Sequence, residues 1–210
     1  YPNKVILCTP NETEYEIKKK IMVTFIIPTI NRETLVKSLN SLLNQTNKNW
    51  LAIIIFDGVL IDEILEDKRF IYLTTNKKGL IDNDNHGQSG LVRNFGLNYL
   101  YDNNIDTKFI SFLDDDDTIQ NNYVDEIIRN QEYDLIIARM KYKNGLVLPT
   151  SCNVDEIKFG QVGISFSYKK ELKIFFDSNA NGEDFFLIEK LMIKTDKIKI
   201  IEEPLYNVRH

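Results

Sequence analysis

The sequence predicts an α/β domain: an open, mostly parallel central sheet with helices on both faces, followed by a second half of mixed character. Three observations predict it. Short, uninterrupted apolar runs alternate with segments of helical periodicity through the first half of the chain, which is how a buried parallel sheet and its covering helices read. A long polar stretch then breaks the alternation, and the next apolar run ends directly in four consecutive aspartates. Beyond them the pattern changes to a hairpin, a short strand, one amphipathic helix and a last strand.

Taken in order, residues 1–22 are expected to be an N-terminal extension, with residues 4–8 an extra edge strand or a connection from a preceding domain. Residues 22–28 (MVTFIIP) carry no charge and read as a buried strand. Asn31 is placed to cap the following helix, with Glu33 in its acid-favouring first turn and Leu35, Leu39, Leu42 and Leu43 as its apolar face. Residues 50–56 (WLAIIIF) form a second buried strand ending at Asp57-Gly58, and residues 69–74 a third. The polar stretch 76–89, with Gly79 and Gly87, reads as a long loop, and such loops inside compact domains tend to carry function. A helix with Val92, Phe95 and Tyr99 on one side precedes the fourth strand, 108–113 (KFISFL), which runs into Asp114. Then come a helix through Val124, Ile127 and Ile128, and a hairpin over 135–148 turning at Asn144-Gly145. A glycine-bearing stretch, 160–163, leads to strand 164–168; Gly182 opens a helix through Lys194, and 197–202 is the last strand. No repeat, low-complexity tract or linker interrupts residues 23–210, which read as one domain.

Composition removes several classes of function. A chain of 210 residues with 43% hydrophobic content is large enough for a real core. Its net charge is −5 and no Lys/Arg block stands clear of acidic neighbours, so no nucleic-acid partner is expected. Cys8 and Cys152 are far apart and form no C-x-x-C pair; they read as reduced thiols, which favours a cytoplasmic or other reducing compartment. With only His86 and His210 there is no His-rich metal site. No apolar run reaches membrane-spanning length and no signal-peptide pattern opens the chain. Because it starts at Tyr1 and stops at His210 inside a motif-like stretch, the chain is expected to be a segment of a longer polypeptide.

The chemistry concentrates at Asp114, Asp115, Asp116 and Asp117. Adjacent carboxylates repel, and a solvated turn is the plain explanation of such a run. This run, however, ends a fully apolar strand, and ligands of open α/β sheets bind at the carboxyl ends of their strands. A hard cation, Mn²⁺ or Mg²⁺, relieves the repulsion and prefers oxygen ligands. Pro28-Thr29, Asp57 and the glycine loop should open on the same edge, and Arg93 lies one turn into the next helix, within reach of a phosphate. Taken singly, Asp57 suits a turn as well as a ligand role, and Arg93 a surface position; together they describe a nucleotide-diphosphate pocket.

The segments VTFIIPTINR, IIIFDG, GQSGLVRNFG, FISFLDDDD and NGEDFFLIEKL follow one another as they do in family 2 glycosyltransferases of the GT-A fold, which the chain resembles across residues 23–210. The resemblance implies a Rossmann-like sheet with a nucleotide-binding half over 23–117 and a mixed acceptor-side half over 118–210. It implies that Pro28, Thr29, Asn31 and Arg32 form the first donor loop and that Asp57 recognises the base, with Phe56 where members often have another aspartate. Arg93 and Asn94 match the R-N pair near the diphosphate. Asp114 and Asp116 match the D-x-D motif, the first meeting ribose and metal and the second the metal, with Asp115 between them in the nucleotide-sugar site. Glu183 and Asp184 match the catalytic E-D pair, whose aspartate is the general base of inverting members. Tyr206, Arg209 and His210 compare with a Tyr-Arg-x-His-like stretch, with Arg and His adjacent here, and His210 is either a further metal ligand or simply a terminal residue.

The implied activity is metal-dependent transfer of a hexosyl or pentosyl group, from a UDP-sugar by preference, to a glycan, protein or lipid-linked hydroxyl. Inversion follows from a single displacement. Three other readings remain at this point. FLDDDDT also satisfies the D-x-D-x-T pattern of haloacid-dehalogenase-type phosphohydrolases, with Asp114 as nucleophile and Asp116 as acid/base, although that motif usually belongs to the first strand of its core. A sugar-phosphate nucleotidyltransferase would need a glycine-rich loop where Pro28 to Arg32 has none. A non-catalytic glycan- or nucleotide-sugar-binding domain would not need Glu183-Asp184, which then merely complement a helix N-terminus. Phe159, Phe166, Phe185 and Phe186 are a sugar platform or core.

Overall fold

The computed structural model describes residues 21–59, 65–75, 89–177 and 182–209, and the backbone of residues 5–6. Its strands are β1 (Val5–Ile6), β2 (Ile21–Thr29), β3 (Trp50–Phe56), β4 (Phe70–Thr74), β5 (Thr107–Phe112), β6 (Thr118–Ile119), β7 (Leu135–Lys141), β8 (Val147–Leu148), β9 (Phe166–Lys169) and β10 (Ile198–Asn207). Its α-helices are α1 (Leu35–Leu43), α2 (Ser89–Asp102), α3 (Tyr123–Arg129) and α4 (Glu183–Lys194). All the strands join one sheet in the order β1-β4-β3-β2-β5-β9-β7-β10-β6, with β8 on β7.

The block β4-β3-β2-β5 is parallel throughout, as its uninterrupted apolar runs require, and residues 23–27 and 52–56 are fully buried. The helices lie on both faces. Side chains alternate along a strand, and Ile26 of β2 with Ile55 of β3 faces Gly96 of α2, while the neighbouring Phe25 meets Tyr123 of α3 with ring centroids 5.8 Å apart. Past β5 the sheet becomes mixed: β9 inserts antiparallel between β5 and β7, and β10 returns parallel to β7. The hairpin at Asn144-Gly145 forms, pairing Met140 with Leu148. At the opposite edge β1 pairs antiparallel with β4, within the stretch expected to add an edge strand.

Three local expectations are corrected. Asn31 does not cap α1: it takes a left-handed φ of 64°, the helix starts after Thr34 with no side-chain cap bond, and Glu33 lies ahead of its first turn. The buried face of α2 is Val92, Arg93, Gly96, Leu97 and Leu100, with Phe95 and Tyr99 half-buried at its margin. Its contact glycine was invisible to apolar periodicity. Finally, β10 runs past Glu202, the expected end of the last strand, to Asn207, because register shifts around Pro204 accommodate the proline and the strand goes on to pair with β6.

Candidate active site

Because β2, β3 and β5 are parallel and in register, their carboxyl ends deliver Thr29, Asp57 and Asp114 to one edge. The loop after β2 is tied to the aspartates. Thr29 Oγ1 donates to Asp115 Oδ2 at 2.7 Å and accepts from the Asn31 N–H at 2.9 Å. Arg32 Nη1 donates to Asp115 Oδ1 at 2.9 Å and to Asp116 Oδ2 at 3.3 Å. Pro28, half-buried, leads into this loop opposite Ile55. Next to it, the Asp57 N–H donates to the Thr29 carbonyl at 2.8 Å, and Asp57 Oδ1 accepts from Thr75 Oγ1 at 3.1 Å.

The four aspartates divide into two kinds. Asp115 and Asp117 turn inward and are buried. Burial raises the pKa of Asp115, against the lowering effect of Thr29 and Arg32. Burial likewise pushes Asp117 up to about 6, opposed by the Arg209 N–H, which donates to its Oδ1 at 2.8 Å. Ser38 Oγ holds the Asp117 carbonyl at 2.6 Å, fastening the turn to α1. Asp114 and Asp116 belong to the outer pair, and the Asp114 side chain keeps 34% of its surface exposed. The Asp114 N–H donates to the Tyr206 hydroxyl at 3.2 Å, so β10 braces the turn from below.

Arg93 joins this cluster to the second half of the chain. It is 3% exposed; Nη2 donates to Asp114 Oδ1 at 2.6 Å and Nη1 to Glu183 Oε1 at 2.8 Å, with Asp184 Oδ1 3.6 Å away. Burial alone would lower its pKa, but the charges of Asp114, Asp184 and Glu183 outweigh it and raise the value. Glu183 also accepts from Ser89 Oγ and, at 2.8 Å, from the Gly90 N–H at the start of α2. A carboxylate there satisfies an orphan amide and meets the positive end of the helix. A Cβ at residue 90 would lie 2.4 Å from Glu183 Oε2, so this approach requires glycine. Asn94 and the backbone of Phe176 exchange two bonds of 2.9 Å, clamping the segment before α4 to α2.

Asp184 differs from its neighbour. Its Oδ1 is shielded from solvent and has no hydrogen-bond partner among the described residues. Burial pushes its pKa up to about 6; Arg93 pulls the other way, and Asp114 and Glu183 add to the rise. A carboxylate whose Oδ1 is only ion-paired at 3.6 Å and accepts no hydrogen bond from the described residues, with a raised pKa, is suited to accepting a proton.

Among the described residues, no three His, Cys, Asp or Glu side chains are grouped to hold a cation unaided. Asp114 and Asp116 supply oxygen donors of the kind Mg²⁺ and Mn²⁺ take, and Mg²⁺ is commonly held by one or two carboxylates together with substrate phosphates. The donor set therefore fits a metal that arrives with a diphosphate. His210, the glycine loop from Gly79 through Gly87, His86 and Cys8 lie outside the described residues; Cys152 is exposed.

Thr75, Ser38 and Ser89 were not singled out from the sequence. Thr75 follows β4 on the same sheet edge and was reachable by the strand-end argument; nothing local marks the two serines.

The sequence model described as glycosyl transferase family 2 matches residues 24–151. The chain is 25% identical over 224 residues to glycosyltransferase GlyA of Streptococcus pneumoniae, covering 89% of this chain and 30% of GlyA. It is similar in structure to residues 1–349 of S. aureus TarS, with a TM-score of 0.71 and 18% identity over 90% of this chain and 60% of that one. The same TarS segment in complex with UDP-GlcNAc gives 0.68 at 17% identity, covering 90% and 58%. The chain thus spans under a third of GlyA and about 60% of that TarS segment. The TarS likeness establishes the GT-A fold expected from the sequence. No described helix is long and apolar enough to cross a membrane.

Proposed function

The chain belongs to glycosyl transferase family 2, and from that premise we propose that it moves a sugar from a UDP-sugar to a hydroxyl acceptor with inversion, Asp184 serving as general base. The observation that carries this reading is the double reach of Arg93. One buried guanidinium holds Asp114 at 2.6 Å on the donor side and lies 3.6 Å from Asp184 on the other. Donor-binding and proton-accepting carboxylates are thereby fixed at a constant separation.

In this reading the loop from Pro28 to Arg32 receives the nucleoside, and Asp57, oriented by Thr75, accepts from the N–H of uracil. The complex of TarS with UDP-GlcNAc supports UDP as the carrier. Asp114 and Asp116 would hold Mn²⁺ or Mg²⁺, which, when bound, neutralises the charge of the diphosphate leaving group. The acceptor hydroxyl oxygen bonds to the anomeric carbon from the face opposite the diphosphate. Its proton passes to Asp184, and the bonding pair of the broken C–O bond leaves on the β-phosphate oxygen. Glu183 does not compete for that proton, because its oxygens are held by Ser89, Gly90 and Arg93. The acceptor is a glycan, a protein or a lipid-linked hydroxyl compound. Family membership does not favour the phosphohydrolase and nucleotidyltransferase readings.

The test is a panel of UDP-, GDP- and CDP-sugars with Mn²⁺, read as release of nucleoside diphosphate. Turnover of a UDP-sugar is expected, suppressed by chelator and by Asp116→Asn. Phosphate released from phosphomonoesters, with no nucleotide-sugar turnover, would sink the proposal.

A further inference from the structure

The structure assigns Phe159 to a binding subsite: we propose that its exposed ring, with Phe185 and Phe186 around Gly182, is a shelf on which a sugar ring of the acceptor stacks beside Asp184. This inference rests on the reading of Asp184 as the base of a glycosyl transfer.

Phe159 is presented by a turn in which the Gln161 N–H donates to the Lys158 carbonyl at 3.0 Å and Gly160 adopts a φ of 80°. The turn holds the ring outward, 66% exposed, although burying a phenyl group is ordinarily favourable. The ring is nevertheless seated. A Cβ at residue 182 would lie 2.8 Å from both Cε2 and Cζ of Phe159, so one edge of the ring rests against the bare backbone of Gly182. Phe185 meets it edge to face with centroids 5.2 Å apart. Phe186, itself 38% exposed, reaches within 4.0 Å of the same point. Gly182 is also the N-cap of α4, with a φ of 86°. One glycine therefore sets both where the helix bearing Asp184 begins and where the ring lies.

The position points to the acceptor. The donor-side groups come from the ends of β2, β3 and β5, whereas the shelf is built from the loop after β8 and the first turn of α4, and Phe185 directly follows Asp184. The chemistry points to a sugar. An aromatic face carries partial negative charge, and the C–H face of a pyranose presents partial positive charge to it. A phenyl ring already fixed by packing loses little freedom on contact. Lys158 and Gln161, the polar residues on either side in the same turn, interrupt the apolar surface in sequence, where a lipid chain would call for a broad, continuous apolar patch.

The experiment is NMR saturation transfer to the methyl β-glycosides of glucose, galactose and N-acetylglucosamine, using the wild-type chain, Phe159→Ala and Phe159→Trp. Calorimetry of UDP with Mn²⁺ is run on all three. The exposed position keeps the variants folded. Saturation of at least one glycoside is expected with wild type and Phe159→Trp, and about a 5-fold or greater weakening with Phe159→Ala, UDP affinity being unchanged. Equal saturation with Phe159→Ala, or none with wild type, would overturn the shelf. Loss of UDP affinity in Phe159→Ala would overturn it too, by moving the ring into the donor site. Because this measurement needs no turnover, Phe159-dependent glycoside binding without UDP-sugar turnover would sink the transferase reading alone. Turnover with Phe159-independent binding would sink the shelf alone.

Discussion

Asp184 and Glu183 are adjacent residues with opposite surroundings, and their substitutions should separate accordingly. Burial has raised the Asp184 pKa to about 6, so the folded chain binds this proton more tightly than the unfolded one. The stability that proton contributes is present at low pH and is lost as pH rises through about 6; at pH 7.5 the charged side chain is a burden on the fold. Asp184→Asn should therefore leave the melting temperature at pH 7.5 unchanged or higher, while cutting kcat about 10²-fold or more as a positioned base is lost. In the wild type kcat should fall as pH drops through about 6, where the carboxylate is protonated. Glu183→Gln should do the reverse in stability, losing about 1–3 kcal/mol through its charge-assisted bonds to Arg93 and Gly90. A fast Asp184→Asn enzyme beside a slow Glu183→Gln would transfer the base role to Glu183, and retention of anomeric configuration in the product would exclude a single displacement. The pair of acids was legible in the sequence, but their division of labour was not. It depends on Arg93 and Ser89, about ninety positions away in the chain, reaching one residue and not completing the other.

The start of α2 is the element on which these residues converge, and Gly90 is its most constrained position. Alanine within a helix is intrinsically better than glycine by up to about 1 kcal/mol. Here the added Cβ would meet Glu183 Oε2 at 2.4 Å and Phe176 Cβ at 2.9 Å, and neither can withdraw without breaking the seam between α2 and α4. Overpacking of this kind costs about 1–3 kcal/mol and outweighs the propensity gain. Gly90→Ala should lower stability in a urea titration and reduce kcat more than UDP affinity, since it displaces Glu183 and with it the first turn of α4. A variant as stable and active as wild type would show that the seam is loose. Elements of this kind mark the boundary of what a sequence discloses. The buried strands β2, β3 and β5 were readable because a parallel strand covered on both faces needs an unbroken apolar run. The start of α1, the face of α2 and the extension of β10 were not. The last two are decided by partners from elsewhere in the chain, the isoleucines that close on Gly96 and the β6 strand that draws β10 past Pro204, and the first by a local turn in which the Thr29 hydroxyl takes the Asn31 N–H.

Across the whole molecule, the candidate site lies where one continuous sheet changes from parallel to mixed, with Thr29, Asp57 and Asp114 at the ends of β2, β3 and β5 and Asp184 in the first turn of α4. The carboxyl-edge rule for open α/β sheets located that place from strand ends alone. What it left out was the covering by α4, a contact between the two halves that no local pattern encodes. This arrangement has a thermodynamic consequence. A ligand that binds only the folded chain stabilises it by about 2.7 kcal/mol at a hundred times its Kd, which for a chain of this size is a rise in Tm of about 5–10 °C. In the proposed donor site the diphosphate meets the carboxylates of Asp114 and Asp116, whose negative charge opposes its own unless a cation lies between them. UDP with Mn²⁺ should therefore raise the Tm by that amount, and UDP in excess chelator by much less. Asp116→Asn should remove the dependence on Mn²⁺ along with most of the shift. Asp57→Ala should instead keep the dependence on Mn²⁺ and bring the shift with UDP down to that with GDP, because it alters base recognition and leaves the diphosphate side intact. An equal UDP shift with and without chelator would refute the metal-bridged donor site, and a larger shift with GDP than with UDP would refute Asp57 as the uracil reader.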